Sequence, residues 1–339
     1  MIGQETRVVE RKVVAILKVL SDSPEPLGGR VIARRLCDLG FELGERAVRY
    51  HLRLMDERGL TQPVGKRDGR QITSSGLEEL KSALVSDRLG HISARIELLA
   101  YATSLDLDNY SGHVPINTSL FAEEEFNRAL ELMSDAFRSG LCVSDLVAIA
   151  HEGAKLGGVT VPQGKVGLAT ISSIVVSGAL LKAGIPLVSR FGGMLQVRNQ
   201  KPLRFTDLIE YSGCSLDPAE IFIASRMTSV RKASIEGGGK ILASFGEIPS
   251  PCRPETEAIM RKLKAAGFNG LIKLGETNEP ICEITSELNK VGLILYDGLN
   301  PVAAAAEASI EVTNRAMSGL IEYKNLSRFR DIANKRSSA

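Results

Sequence analysis

Apolar residues along the first sixty positions fall on helical spacings. Val9, Val13, Ile16, Leu17 and Leu20 recur three and four apart, which predicts a helix over residues 5–21. The run SDSPEPLGG (21–29) is a loop by its Ser, Pro and Gly content. RVIARRLCDL (30–39) reads as a short amphipathic helix, residues 40–44 as a turn, and ERAVRYHLRLMDER (45–58) as a third helix. In that helix Val48, Leu52 and Met55 form one buried stripe at i, i+4 and i+7, and Gly59 supplies its stop. Two short extended runs follow in LTQPVGKRDGRQIT (60–73), separated by turn residues, and Thr73 or Ser74 can cap a fourth helix to about residue 86.

Three helices and a basic hairpin in that order predict a winged helix-turn-helix. In such a module the third helix enters the major groove and the wing meets the DNA backbone. Arg46, Arg49, Tyr50 and Arg53 lie off the buried stripe, and Lys66, Arg67 and Arg70 crowd the wing. Arginine suits bidentate contact with guanine, and Lys or Arg at a wing neutralises phosphate. A solvated basic helix in a protein-binding winged helix is the competing reading. His51 reads as a packing or phosphate-facing residue.

Beyond residue 86 the pattern changes to alternating extended runs and helices, and it does so twice. Residues 165–195 laid over 290–320 without a gap (290 − 165 = 125) give nine identities in 31 positions, from Lys165/Lys290 to Leu195/Leu320. Upstream, Gly112 pairs with Gly239 and Gly140 with Gly267 at an offset of 127. Each copy predicts a strand (113–119; 240–248), a helix (123–139; 255–266) and two further strands (145–150 and 158–162; 270–274 and 281–285). A fourth strand (166–171; 291–296) then leads into an Ala-rich helix and a last extended piece. Residues 196–238 connect the copies. The expected fold class is α/β (α+β), with a winged helix-turn-helix over 1–86 and a duplicated α/β regulatory domain over 87–339. Its two repeats span about 110–195 and 238–322.

The junction of the fourth strand with the Ala-rich helix is the chemically promising place. A helix N-terminus offers free backbone N–H groups and a positive dipole end. Ser172 and Ser173 stand there in copy one and Asn300 in copy two. Arg190 and Arg315 are expected to return to the same end, and arginine beside a helix N-terminus is a receptor for carboxylate. Thr228 and Ser229 of the connector complete the candidate effector set. Ordinary capping, with the arginines at a surface or dimer contact, is the alternative.

Composition adds exclusions. Lys plus Arg number 42 and Asp plus Glu 40, a formal charge of +2, so the basic character of residues 45–70 is visible only locally. Five dispersed cysteines without a C-x-x-C pair argue against a disulfide scaffold or zinc ribbon and fit a reducing cytoplasm. The four histidines have no metal-ligand spacing. The most apolar stretch (171–188) contains Lys182, Gly178, Gly184 and Pro186 and reads as a buried helix, not a membrane span. The polar N-terminus is no signal peptide. No P-loop, H-E-x-x-H or G-x-S-x-G is present, so neither catalysis nor a cofactor is expected, and YSGCSLDP (211–218) offers Cys214 no visible base.

The chain resembles the archaeal nitrogen-regulation repressor family NrpR over nearly its whole length. RAVRYHLRLMDERGLT (46–61) resembles the family's DNA-reading helix. VSGALLKAGIPLVSRFGG (176–193), SLDPAEIFIASRMTSV (215–230) and GLNPVAAAAEASIEVTNRAMSGLIEY (298–323) resemble its regulatory domain. The resemblance implies a homodimeric repressor of nitrogen-assimilation genes on a palindromic double-stranded DNA operator, released by 2-oxoglutarate. It also implies tuning, in some members, by a PII-type protein. Some members carry two regulatory domains where this chain has one, so a companion paralogue is a further expected partner. Two alternatives stand beside this reading: a small-carboxylate enzyme with a fused DNA-binding head, and a companion subunit bridging another repressor.

Overall fold

The computed structural model describes all residues except 1, 24, 39–40, 66–68, 83–90 and 338–339, and within helices it omits the side chains of 2–11, 38, 81–82, 91 and 334–337. The chain divides into two compact units, residues 1–88 and 89–339.

In the first unit, helices α1 (Ile2–Ser21), α2 (Gly29–Asp38), α3 (Glu45–Glu57) and α4 (Ser74–Ser82) surround a three-stranded antiparallel sheet. Its strands are β1 (Leu27–Gly28), β2 (Thr61–Val64) and β3 (Gly69–Ile72), in the order β1–β3–β2. Val48, Leu52 and Met55 of α3 are buried against Ile16, Leu17 and Leu20 of α1 and Ile32 and Leu36 of α2. Gly59 has φ +70, and Leu60 N–H reaches back to the Met55 carbonyl at 2.9 Å, which closes α3 as the sequence predicts. Thr73 accepts from Gly76 N–H at 3.0 Å and so caps α4. Glycine at 76 is required: a Cβ there would lie 2.1 Å from the Leu60 carbonyl oxygen.

The second unit opens with α5 (His91–Ala102) and then holds two antiparallel five-stranded sheets. The first copy contributes β4 (His113–Ala122), α6 (Phe126–Arg138), β5 (Leu146–Ala150), β6 (Lys155–Leu156), β7 (Val159–Thr160), β8 (Lys165–Ile171), α7 (Ile174–Lys182) and β9 (Val188–Arg198). A hairpin strand β10 (Lys201–Glu210) and short helices α8 (Pro218–Ala224) and α9 (Val230–Glu236) form the connector. The second copy contributes β11 (Gly239–Pro249), α10 (Arg253–Ala265), β12 (Leu271–Leu274), β13 (Lys290–Tyr296), α11 (Asn300–Glu307) and β14 (Val312–Glu322), before β15 (Ser327–Arg328) and α12 (Phe329–Ser337).

The sheet orders are β14–β4–β8–β5–β15 and β10–β9–β11–β13–β12. Each copy therefore gives its last strand to the other copy's sheet: β14 pairs with β4, and β9 with β11. The helices exchange in the same way. One core packs α6 with α11, through Met133, Phe137, Val302 and Ala305. The other packs α7 with α10, through Val175, Leu180, Met260 and Leu263.

Two predicted strands are reduced. Residues 158–162 keep only β7, paired with β6 in a separate ribbon. Residues 281–285 hold a single bridge, Ile281 to Ile284, because Cys282 and Glu283 adopt φ of 49 and 68 and turn the chain back. The apolar stretch 171–188 divides into the end of β8, α7 and a turn with Gly184 at φ +78. No helix among the described residues is long and apolar enough to cross a membrane.

Candidate DNA interface and effector cleft

Helix α3 turns its stripe inward and its basic side chains outward. Arg46, Arg49, Tyr50 and Arg53 are all exposed. Arg49 pairs with Glu45 at 2.9 Å, Arg53 approaches Glu57 at 3.8 Å, and the Arg53 guanidinium lies 5.9 Å from the Tyr50 ring centre. Surface i,i+4 pairs of this kind contribute ~0.3–0.5 kcal/mol, so a phosphate or base edge can replace the glutamate. His51 is buried, its Nδ1 has no partner, and burial followed by the charge of Lys12 lowers its pKa. It is a packing residue of the module.

Arg70 departs from the expectation of a backbone-facing wing residue. Its Nε donates to Asp56 at 2.8 Å, while Thr61 Oγ1 donates to the other oxygen of Asp56 at 2.6 Å. Asp56 of α3 thus braces both strands of the wing, and Arg70 holds the wing's angle. The sequence shows Asp56 only as an opposing charge, because the pairing depends on a hairpin 14 residues away. Lys66 and Arg67 lie outside the described residues.

In the second unit the two strand-to-helix junctions meet. A Cβ on Gly298 would lie 2.0 Å from the Ile171 carbonyl oxygen, so glycine permits the approach. Matching backbone bonds run from Ser172 N–H to the Pro115 carbonyl (2.9 Å) and from Asp297 N–H to the Leu242 carbonyl (3.2 Å). A cavity of about 30 Å³ opens at this meeting point. It is lined by the corresponding pairs Ser172/Asp297 and Asn117/Ser244, with Ser173, Tyr211 and Asp217.

The connector supplies a carboxyl that residue types at the junction do not announce. Asp217 accepts from Ala219 N–H at 2.9 Å and caps α8 in the segment DPAE. Asp followed by Pro and then Glu is the sequence signal of a helix start, and it could have located this residue. Burial, then the nearby charges of Asp297 and Glu220, push the Asp217 carboxyl up to about 8. Burial likewise raises Asp297 to about 6. Burial, then the charges of Asp217 and Asp297, raise Tyr211 well above its ordinary range.

Next to this cavity, and sharing Ile96, Ser177 and Ser189 with it, lies a larger cleft of about 670 Å³ with a mainly apolar wall. Arg190 stands in its lining with Glu210 and Glu287. One guanidinium nitrogen, Nη1, donates to Glu247 at 2.9 Å and to Glu287 at 2.6 Å. Burial opposes its charge, but these two carboxylates outweigh that effect and raise its pKa.

Of the remaining effector candidates, Asn300 is fully buried and engaged. Its Oδ1 accepts from Leu242 N–H and its Nδ2 donates to the Leu242 carbonyl, each at 2.8 Å. Ser229 Oγ accepts from Lys240 N–H at 2.7 Å, which ties the start of α9 to β11. The free N–H groups of α9, at Val230 and Arg231, are taken by the Glu307 carboxylate. Thr228 is half-buried beside them. Arg315 is exposed on β14 opposite Thr118, near the Glu220 carboxylate. None of these four lines either cavity. Arg190 and Arg315 do not converge: Arg190 is on β9 in one sheet and Arg315 on β14 in the other.

Comparison with known proteins bears on both units. A sequence profile of the NrpR regulatory domains NRD1 and 2 matches residues 89–328, and one of the ribonuclease R winged-helix domain matches residues 14–80. The chain is 39% identical over 318 residues to the global nitrogen regulator NrpRI of Methanosarcina mazei, covering 94% of this chain and 98% of that protein. It is 32% identical over 335 residues to the global nitrogen regulator NrpR of Methanocaldococcus jannaschii, covering 97% of this chain and 58% of that protein. The NrpR of Methanococcus maripaludis is 30% identical over 313 residues, covering 92% and 54%. Against these last two the chain spans about half of the relative's length. The crystal structure of a nitrogen repressor-like protein from Methanococcus jannaschii shares the fold, with a TM-score of 0.59 at 24% identity, covering 70% of this chain and 97% of that one.

Proposed function

The chain belongs to the NrpR family of nitrogen regulators, and on that premise we propose that it is a sequence-specific transcriptional repressor of nitrogen-assimilation genes, released from its operator by 2-oxoglutarate. The observation that carries the DNA-binding part is the outward basic face of α3, with Arg46, Arg49, Tyr50 and Arg53 exposed opposite the buried stripe Val48, Leu52 and Met55. These four side chains are assigned to the major groove. Lys66 and Arg67 are assigned to the phosphates of the flanking backbone, and Arg70 to setting the wing. A palindromic operator requires two readers, so the acting species is a homodimer in the cytoplasm.

The effector is assigned to the paired cavities of the second unit. Arg190 receives a carboxylate, and Ser172 and Ser173 at the start of α7 offer hydroxyls and backbone N–H groups. Asp217, protonated at neutral pH, donates rather than repels there. The protein acts as a regulator and not as an enzyme, with 2-oxoglutarate as a signal that leaves unchanged.

A salt-controlled gel shift with the promoter of a nitrogen-assimilation gene tests this. Wild-type protein is expected to bind the promoter tightly and to lose ~5–150-fold in affinity when 2-oxoglutarate is added. Arg49→Ala should lose specific binding while remaining dimeric. Tight binding that ignores 2-oxoglutarate would sink the effector assignment and leave the DNA assignment standing.

A further inference from the structure

Arg190 is already occupied by a carboxylate of the protein itself. It sits at the one-residue bulge of β9, where the pairing with β11 slips between Phe245 and Gly246. Two glutamates meet it there, and they differ in kind. Glu247 is 1% exposed and fixed: its oxygens also receive Glu287 N–H at 2.8 Å and lie 3.7 Å from Lys290. Glu287 is 55% exposed, comes from the long loop between β12 and β13, faces the 670 Å³ cleft, and also accepts from Lys290 Nζ at 2.5 Å.

Charge counting separates their roles. Arg190 and Lys290 against Glu247 and Glu287 sum to zero, so the guanidinium presents no net attraction to an arriving anion. Glu97 and Glu210, also in the lining, make the closed cleft repulsive to a dianion. Removing the Glu287 carboxylate leaves one positive charge at the cleft wall, with Glu247 still balancing the other. Because Glu287 N–H stays bonded to Glu247, the carboxylate can swing off Arg190 toward Lys290, its other partner at 2.5 Å, by side-chain rotation and without unfolding the loop.

We propose that Glu287 is a tethered competitor: its carboxylate holds the place on Arg190 that the effector's carboxylate takes, and so it sets the effector concentration at which the cleft fills. The proposal rests on the assignment of a carboxylate effector to this cleft. The fraction of molecules with Glu287 swung away multiplies the intrinsic affinity, so removing the competitor raises apparent affinity without a new contact. The second copy of the architecture carries no such device. The positions corresponding to Glu247 and Glu287 are Leu120 (247 − 127) and Pro162 (287 − 125), and Arg315 has neither partner.

The test is calorimetric titration of 2-oxoglutarate into full-length wild type, Glu287→Gln, Arg190→Ala and the double variant, with thermal melts confirming that each is folded. An exposed ion pair contributes little, so Glu287→Gln should bind ~2–5-fold more tightly than wild type. Arg190→Ala should bind at least about tenfold more weakly. In the double variant the gain from Glu287→Gln should vanish. Unchanged or weakened binding in Glu287→Gln, or a gain that persists without Arg190, would overturn the proposal. Binding seen only in Glu287→Gln supports it. If neither protein binds, both the competitor and the effector assignment fall. Operator binding by gel shift, read separately, reports on the repressor assignment alone.

Discussion

The two copies of the repeat share strand order, exchanged last strands and matching backbone bonds at their junctions, yet they have divided their chemistry. At the junction, copy one has Ser172, Ser173 and Val175 where copy two has Asp297, Gly298 and Asn300, each 125 positions on. Copy two carries the buried clamp and the close approach, and copy one carries the small hydroxyls beside the cavity. The arginines diverge in the same sense: Arg190 is neutralised within the cleft, and Arg315 is exposed outside it. Duplication preserved the scaffold on both sides, while the polar groups at corresponding positions became specialised for holding or for receiving.

The largest expected effect that separates the copies is steric. Gly298→Ala forces a Cβ to 2.0 Å from the Ile171 carbonyl oxygen and 2.7 Å from Asn117 Nδ2, and should cost about 3 kcal/mol or more. Ser173→Ala, at the corresponding place, should cost less than about 1 kcal/mol. Urea unfolding of both variants measures the difference, and similar midpoints would show that the junctions are not packed as described. Next, Asn300→Ala leaves the buried N–H and carbonyl of Leu242 without their side-chain partner, at a cost of about 2–3 kcal/mol. Val175→Ala tests only packing at the corresponding position.

A third contrast is in pH. Asp217 and Asp297 have folded pKa values of about 8 and about 6, above those of the unfolded chain. The folded state therefore holds extra protons at neutral pH. The stability they contribute is full below the ordinary carboxylate range, and it is lost as pH rises toward 8. Between pH 6 and pH 8 the unfolding free energy should fall by ~2–3 kcal/mol. Asp297→Ser, which installs the copy-one residue, should flatten that slope, and an unaltered slope would remove the pair as its source. The smallest effect is on the effector: Arg315→Ala should leave 2-oxoglutarate affinity within about twofold of wild type, in contrast to Arg190→Ala.

Much of this was legible in the sequence, and the boundary of legibility has a physical cause. The stripe Val48, Leu52, Met55 and the stop at Gly59 are local signals, and the structure follows them residue for residue. The order of elements in each copy was legible for the same reason. Strand exchange was not, because pairing of β9 with β11 or with β4 is equally compatible with their alternation. Arg190 and Arg315 stand in different sheets, and Asn300 clamps Leu242 within its own copy. Arg70 was read from its charge, yet its partner Asp56 is set by how the wing folds back onto α3. Glu247 and Glu287 were missed because a carboxylate in a strand or loop carries no local sign of the guanidinium it will meet.

Strand exchange also bears on how the chain is made. The β14–β4 pairing joins Glu322 to His113, a separation of 322 − 113 = 209 residues. Until residue 322 has left the ribosome, β4 keeps one unpaired edge, and at ~5–20 residues per second that interval lasts roughly 10–40 s. The β10–β9–β11–β13–β12 sheet lies within residues 188–296 and can close first, whereas the β4 sheet must wait for β14, with the slow kinetics that long loop closures impose. The first unit, built from contacts within 88 residues, completes its fold while the second is still being synthesised. An exposed edge of that duration is where a chaperone, or a second nascent chain, would compete with β14.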